Sequence, residues 1–319
     1  VAAGSLLGVA LHQGTSFPVG KVDFLDLYPL NFREFLCAMG EKQFVSMLDS
    51  CDTQMVTVFK TKYIERLREY YFVGGMPEVV KDFSEKKDYN RVRAIQKNLI
   101  NYYQQDFSKH AEIKLVPRLN LVWNSIPMQL AKENKKYIYG QVREGSRAKD
   151  FELAIQWLLD CGLIHKVQRI QKPDLPLKAY IDFDAFKLFL VDIGLLIAMT
   201  DLDAKVIIEG NKIFTEFKGA LTEQYILQQL ISDVGVIPYY YSTQNSKGEI
   251  DFLVQGKTSV IPIEVKAEEN LKAKSLKAFC EKYQPSYAVR TSMSDYREQD
   301  WMTNIPLYAV KWIKNYVNQ

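Results

Sequence analysis

Two short segments near the end of the chain limit its fold most strongly. Residues 248–254 read Gly-Glu-Ile-Asp-Phe-Leu-Val, and residues 261–266 read Ile-Pro-Ile-Glu-Val-Lys after a short turn. Apolar and polar side chains alternate in both segments. Because successive side chains of a strand point to opposite faces, the pattern predicts a β-hairpin with Asp251, Glu264 and Lys266 on one face.

The predicted register brings two carboxylates close together. If the turn centres on residues 256–257, Asp251 lies opposite Pro262 and diagonal to Glu264. Diagonal neighbours on one face lie roughly 7–8 Å apart, so the two carboxylates can share a metal ion with bound water. Mg²⁺ and Mn²⁺ take oxygen ligands, commonly one or two carboxylates with water and substrate phosphate. Lys266 would stabilise the charge that develops on the phosphate.

The elements predicted around the hairpin follow the order α-β-β-β-α-β. The predicted helices are 219–227 and 271–283, the predicted strands of this order are 236–241, 249–254, 259–266 and 286–290, and a further strand at 306–310 follows. With the acidic residue and the Glu-x-Lys motif, this order resembles the core of the PD-(D/E)xK nuclease superfamily, over about the last third of the chain. The resemblance implies metal-dependent phosphodiester hydrolysis with Asp251, Glu264 and Lys266 as catalytic residues. The first helix of that superfamily often carries a further acidic metal ligand, and Glu223 matches it.

The beginning of the chain has the features of an ATPase core. Gly4-Ser5 ends a strand-like segment, and Gly20-Lys21 precedes a second one. Together with the motif at 71–80, these segments resemble bacterial and archaeal predicted AAA-type ATPases that carry a C-terminal domain of unknown function with a nuclease-like fold.

The phosphate-binding loop of such ATPases does not occur in these 319 residues, because no G-x-x-x-x-G-K-[ST] sequence is present. Without that loop there is no nucleotide site of the usual kind. ATP is therefore expected only in the intact family proteins, and ATP hydrolysis by this chain alone is not expected. We expect a truncated family member without the N-terminal Walker A/B part, and the origin of the truncation stays open.

The middle of the chain is predicted to hold a helical lid and a winged helix-turn-helix. Residues 34–113 carry apolar side chains at helical spacing, which suits an ATPase lid. In the following part, residues 137–139, 163–167 and 179–182 read as short strands between helices. Ser146 is predicted to cap the helix before the second of these strands.

The predicted architecture is therefore α/β and multi-domain. Its four parts are a remnant of the ATPase core (1–33), the helical lid (34–113), the winged-helix-like domain (114–200) and the nuclease-like domain (205–319).

Basic residues of the winged-helix-like part are candidates for nucleic-acid contacts. They are Arg143, Arg147, Lys149, Lys166 and Arg169. Such residues would meet phosphates, which position a nucleic acid without specifying its sequence. The winged-helix-like part could equally well be a connector that packs between the lid and the nuclease-like domain. Its tryptophans and tyrosines would then lie in the core.

Composition limits the other function classes. The net charge is +3, and residues 205–319 hold 14 Lys and Arg against 13 Asp and Glu, so bulk charge does not indicate nucleic-acid binding. The four cysteines and three histidines are scattered, which argues against a zinc site or a disulfide framework and predicts a reducing, cytoplasmic environment. The sequence contains no apolar run of about 18 residues, so no membrane span is predicted.

Two hypotheses about function remain. The first is a metal-dependent nuclease module, using Mg²⁺ or Mn²⁺ at Glu223, Asp251 and Glu264, attached to an ATPase in the intact protein. The second is a catalytically inactive, nuclease-like scaffold that binds DNA or a partner protein under the control of the missing ATPase half. Charged residues on the exposed face of a hairpin are common, and a fold does not by itself imply a function.

Overall fold

The computed structural model describes residue 23 and residues 25–132, 135–209, 215–243, 248–268 and 273–319. These residues form a mixed α/β protein with one eight-stranded sheet. The predictions for Gly4-Ser5 and Gly20-Lys21 lie outside the described residues. The predicted ATPase remnant is therefore largely untested and stays a prediction.

Fourteen α-helices lie within the described ranges. They are α1 (Phe32–Ala38), α2 (Lys42–Asp49), α3 (Thr53–Val58), α4 (Lys60–Val73), α5 (Pro77–Lys86), α6 (Tyr89–His110), α7 (Val116–Leu130), α8 (Tyr139–Val142), α9 (Ala148–Asp160), α10 (Ile193–Met199), α11 (Ala204–Ile208), α12 (Thr215–Gln229), α13 (Lys274–Tyr283) and α14 (Ile313–Val317). Helices α1 to α6 occupy the part whose apolar spacing predicts helices, so its helical character is confirmed.

The eight strands form a single mixed sheet. They are β1 (Ile164–Ile170), β2 (Ile181–Leu190), β3 (Tyr239–Ser242), β4 (Glu249–Gln255), β5 (Val260–Val265), β6 (Val289–Ser292), β7 (Arg297–Glu298) and β8 (Thr303–Pro306). Their spatial order is β2-β1-β3-β4-β5-β6-β8-β7. Pairs β1–β3, β5–β6 and β6–β8 are parallel, and the other neighbours are antiparallel.

Local sequence explains how the helical part begins. The Asn31 side chain accepts a hydrogen bond from the Glu34 N–H at 3.0 Å, and the Glu34 carboxylate accepts one from the Asn31 N–H at 2.8 Å. This reciprocal pair is a capping box, which satisfies two N–H groups that a helix start leaves without partners. Helix α1 therefore begins directly after Asn31.

The Gly74–Gly75 turn packs against Asp192, the residue that caps the start of helix α10. Gly74 has a φ of +75°, and a Cβ there would lie 2.3 Å from Oδ1 of Asp192. A Cβ on Gly75 would lie 2.1 Å from the Leu30 carbonyl oxygen. The buried Asp192 accepts a hydrogen bond from the Gly75 N–H at 2.6 Å, so both glycines permit a close approach that a side chain would block.

The two strands predicted as a wing do form an antiparallel hairpin, but it joins the main sheet. Strand β1 pairs with β2 on one side and runs parallel to β3 on the other, at Arg169–Tyr240 and Ile170–Tyr241. The free edge of β1 thus finds partners for its backbone groups in the following part of the chain. Consequently the sheet is continuous between residues predicted to belong to two domains.

Two local predictions in this part are wrong. Residues 137–139 do not form a strand, since the Tyr137 N–H makes a single 2.8 Å bond to the Phe186 carbonyl before helix α8 begins. Ser146 does not cap α9, because the capping position falls on Arg147, whose N–H donates to the Asp150 carboxylate at 2.8 Å. Asp150 lies in the first turn, where a carboxylate also interacts well with the helix dipole.

The final part follows the predicted order of elements, with shifted boundaries. Helix α12, strands β3 to β5, helix α13 and strand β6 succeed one another as expected. The last strand is β8, and Leu307–Trp312, which overlaps the predicted strand 306–310, is a 3₁₀ segment. Leu271, the predicted start of α13, lies outside the residues that the structure describes.

Both faces of the sheet are covered. One apolar cluster joins the α12 side chains Leu221 and Tyr225 to Ile261 and Ile263 of β5. A second cluster covers the other face and includes Leu276 and Phe279 of α13. Glu264 of the hairpin is therefore buried rather than on a solvent-facing surface. Within the described chain, no helix is both long and apolar enough to cross a membrane.

Candidate active site

The hairpin carrying the predicted catalytic residues has a different register. Leu253, not Asp251, pairs with Pro262, and Phe252 pairs with Ile263. The Gly256 N–H closes the turn by donating to the Ser259 carbonyl at 2.9 Å, one residue further along the chain than predicted. If this antiparallel register is extended by one pair beyond Phe252 and Ile263, Asp251 is the residue opposite Glu264.

A bulge in β4 interrupts the alternation of faces on which the predicted common face of Asp251, Glu264 and Lys266 rests. Tyr239 pairs with Leu253 and Tyr241 pairs with Ile250, so two steps on β3 match three on β4. An extra residue in one strand interrupts the alternation of faces. Ile250 and Leu253 both pack into the cluster on the α13 face, while Phe252 packs into the one on the α12 face.

Glu264 and Lys266 lie on the α13 face. They form an ion pair of 2.7 Å, with the Glu264 side chain 5 % exposed and that of Lys266 33 % exposed. Burial, and then the charge of Glu264, raise the pKa of Cys280 on α13 to about 11. The second oxygen of Glu264, Oε2, is buried and accepts no hydrogen bond from the residues that the structure describes. Arg290 of β6 is the strand neighbour of Glu264.

Asp251 lies at the point where β4 and β5 separate. Its Oδ2 atom accepts a hydrogen bond of 2.7 Å from the Val265 N–H. The Val265 N–H thus bonds to a side chain of β4 rather than to a backbone carbonyl. Burial, followed by the negative charge of Glu223, raises the pKa of Asp251 to about 7, against the opposing effect of Lys187 and Lys135. Asp251 therefore interacts electrostatically with the α12 side of the sheet.

Lys187 of β2 is at the centre of the charges on that side. Its side chain is 0 % exposed, forms an ion pair with Glu249 and lies 3.7 Å from Oε2 of Glu223. Its ammonium group also lies 4.8 Å from the ring centroid of Tyr240. Burial lowers its pKa, but Glu223, Glu249 and Asp251 together raise the pKa of Lys187 above its usual value. The ammonium group therefore stays charged.

Lys135 supplies a second ammonium group to the same carboxylates. It forms an ion pair with Oε1 of Glu223, and the two side chains are 12 % and 8 % exposed. Burial raises the pKa of Glu223, but Lys135 and Lys187 outweigh it and lower the pKa below its usual value. We call Lys135, Lys187, Glu223, Glu249 and Asp251 the lysine–carboxylate cluster.

Buried glutamines fix α12, and with it Glu223, against the end of β2. Gln224 accepts a hydrogen bond from the Leu190 N–H at 3.0 Å and donates one to the Leu190 carbonyl at 2.7 Å. Gln228 accepts one from the Ile193 N–H at 3.1 Å. Because Lys187 lies on the strand that Gln224 holds, these bonds set the separation of Glu223 and Lys187.

The five predicted nucleic-acid contacts fall into two groups. Arg143, Arg147 and Lys149 are exposed around the start of α9. Lys166 and Arg169 lie on β1, where the Lys166 ammonium group is 4.3 Å from the Phe186 ring centroid and Arg169 forms an ion pair with Asp182. The first group is available to a ligand, whereas the second already has partners.

Sequence reasoning missed Lys135, Lys187 and Glu249 as members of the site. Lys187 did carry a signal, since it interrupts the apolar run from Ala185 to Leu190. A lysine in a buried strand needs a carboxylate partner, because an unpaired buried charge is very unfavourable. The identity of that partner could not be read from the sequence.

The carboxylates fit a divalent cation in part. Among the residues that the structure describes, no group of three or more His, Cys, Asp or Glu side chains could hold a metal ion. Mg²⁺, however, commonly binds through one or two carboxylates with water and substrate phosphate. Among the described residues, the buried Oε2 atom of Glu264 accepts no hydrogen bond, and Glu223 raises the pKa of Asp251. These are properties of oxygen atoms that a cation would stabilise. Oε2 of Glu223 is already 3.7 Å from the Lys187 ammonium group.

Two family models match separate parts of the chain. Residues 64–206 match a domain of unknown function (DUF8612), and residues 218–310 match another domain of unknown function (DUF4143). The second is a domain found in AAA-ATPase-associated proteins. No curated protein and no solved structure was found to match. The cluster is thus shared, because Lys135 and Lys187 lie in the first matched segment and its three carboxylates lie in the second.

Proposed function

We propose that the chain is the C-terminal part of an ATPase-associated protein whose last third hydrolyses phosphodiester bonds of nucleic acid with Mg²⁺ or Mn²⁺. The observation that carries this proposal is the position of Asp251 at the fork of β4 and β5. Its pKa is raised by burial and by Glu223, and Glu264 follows on the adjacent strand. Strongly perturbed carboxyl pKa values cluster at functional sites.

The proposed roles follow from these positions. Asp251 and Glu223 would hold the cation from the α12 side, and Glu264 would complete the set if Asp251 turned towards the α13 face. A bound divalent cation would make a water molecule more acidic and neutralise charge on the phosphate. Lys266, already 2.7 Å from Glu264 and one-third exposed, would stabilise the developing phosphate charge.

The arrangement of the matched segments supports an association with an ATPase. A match to a domain found in ATPase-associated proteins agrees with the resemblance of Tyr71–Val80 to an ATPase lid. In the intact protein, the ATPase half would move or remodel the nucleic acid that this part cleaves. Exposed Arg143, Arg147 and Lys149 would contact phosphates, which accounts for binding without a strongly basic composition.

The second candidate function is an inactive scaffold that binds DNA or a partner protein. The ion pairs of Glu223 with Lys135 and of Glu264 with Lys266 favour it, because each compensates a carboxylate that a metal ion would otherwise use. A site that is permanently neutralised in this way would retain the fold without the chemistry.

A cleavage assay distinguishes the two functions. The chain is incubated with Mg²⁺ or Mn²⁺ and with single-stranded, duplex and branched DNA or with RNA, beside Lys266→Ala. Metal-dependent cleavage that Lys266→Ala abolishes would support the nuclease, provided that the variant shows the wild-type circular dichroism. Binding of these substrates without cleavage by the wild-type protein would support the scaffold.

A further inference from the structure

The two lysines of the cluster are held very differently. Lys187 lies in the middle of β2, within the hydrogen-bonded sheet, and its side chain is completely buried. Lys135 lies in the connection between α7 and α8, outside any helix or strand, and its side chain is 12 % exposed. Lys187 therefore cannot leave the carboxylates without disrupting the sheet, whereas Lys135 takes no part in the sheet.

The charges of the cluster distinguish the two lysines further. With Asp251 ionised, two ammonium groups, Lys135 and Lys187, face three carboxylates, Glu223, Glu249 and Asp251, which leaves one uncompensated negative charge. If Lys135 withdrew, two negative charges would remain, which equals the charge of one divalent cation. Glu264 does not alter this balance, because Lys266 and its strand neighbour Arg290 compensate it on the other face.

We propose that Lys135 is a tethered counter-cation that occupies Glu223 in the metal-free protein and must withdraw from it when a divalent cation binds to Glu223 and Asp251. Binding of the cation and release of the Lys135 ammonium group are then one coupled event. The inference rests on the proposed function in taking a divalent cation as the ligand. It also explains why the carboxylates are neutralised by one lysine from a connection and one from a strand.

Release of Lys135 would affect the substrate as well. The connection that carries it belongs to the first matched segment, whereas the carboxylates belong to the second. A released ammonium group beside the carboxylates is suited to a phosphate, because lysine binds phosphate as a compact point charge. Cation binding would thereby convert a closed, nearly neutral cluster into a site with a free basic group.

The first test measures Mn²⁺ affinity without any substrate, from the electron paramagnetic resonance signal of free Mn²⁺. Lys135→Met should lower the Mn²⁺ dissociation constant on the order of tenfold, because the variant lacks the ammonium group that competes with Mn²⁺ for Glu223. Lys135→Arg and the exposed-site control Lys178→Met should bind as the wild type does. The double variant Lys135→Met/Glu223→Gln should lose the gain.

Two results of this titration would overturn the proposal. One is equal Mn²⁺ affinity of Lys135→Met and the wild type. The other is a gain that persists after Glu223→Gln, which would show a general effect of charge rather than competition at Glu223.

A second test uses the wild-type chain and so does not depend on the folding of a variant. Acetylation of individual lysines is followed by mass spectrometry with and without Mg²⁺. Mg²⁺ should increase the labelling rate of Lys135 several-fold relative to Lys178, and labelling that is unchanged at saturating Mg²⁺ refutes the coupling. Because neither test measures cleavage, failure of the nuclease proposal alone would leave the predicted Mn²⁺ and labelling effects intact.

Discussion

Replacement of Lys187 by methionine tests the description of the lysine–carboxylate cluster most sharply. Methionine keeps the apolar stem against Tyr240 and removes the ammonium group. At 3.7 Å from Oε2 of Glu223, that group contributes an interaction of about 4 kcal/mol at an effective dielectric constant near 20. Glu249 is 25 % exposed, so water compensates much of its loss.

The expected effect of Lys187→Met is a loss of about 3–5 kcal/mol in the free energy of unfolding, because a buried carboxylate is left without one of its partners. Urea unfolding followed by circular dichroism at pH 7.5 measures it. Lys178→Met, at an exposed position, serves as the matched control and should change stability by no more than about 0.5 kcal/mol.

A double variant separates the electrostatic explanation from a packing effect. Lys187→Met combined with Glu223→Gln should recover part of the lost stability, because no uncompensated charge is left at that contact. If Lys187→Met alone stays within about 1 kcal/mol of the wild type, the ammonium group is not the buried partner that the structure describes.

Three further predictions concern the surroundings of the site. The folded state raises the pKa of Asp251 from 3.8 to about 7, so its contribution to stability is complete below about pH 4 and is lost as the pH rises through 7. Asp251→Asn should therefore stabilise the protein against urea at pH 8 and much less at pH 5, and a difference independent of pH would refute the shift. Gln224→Leu leaves the Leu190 N–H and carbonyl without partners and should cost about 2–4 kcal/mol in urea unfolding, whereas an unchanged midpoint would contradict those bonds. Gly75→Ala should lower the thermal midpoint by several degrees, since its Cβ would lie 2.1 Å from the Leu30 carbonyl oxygen, and full stability of this variant would exclude that approach.

Local sequence patterns predicted the elements better than their assembly. The order of elements from α12 to β6 was predicted from the spacing of apolar residues, because that spacing is a property of each segment alone and differs between helices and strands. The bulge in β4 could not be predicted in this way, since it depends on how β3 aligns with β4. That alignment interrupts the alternation of faces at Asp251, so the predicted common face of the three catalytic residues does not follow from the strand period alone.

The site depends even more on distant parts of the chain. Lys135 and Lys187 precede Asp251 by many residues, and no local pattern connects them with it. The predicted winged helix would have kept them in a separate domain, but pairing of β1 with β3 brings β2 and its lysine into the sheet. Tertiary pairing therefore determined the electrostatics of the site, whereas the sequence identified only Glu223, Asp251, Glu264 and Lys266.

The most direct test of the central claim is cleavage of a labelled single-stranded DNA by the wild-type chain in Mn²⁺, beside Asp251→Asn and the control Lys178→Met. We expect cleavage by the wild type and the control, none with Asp251→Asn, and none when EDTA removes the cation. Equal cleavage by Asp251→Asn and the wild type, or no cleavage by a folded wild-type protein that binds Mn²⁺, would contradict the assignment of a nuclease site to the fork of β4 and β5.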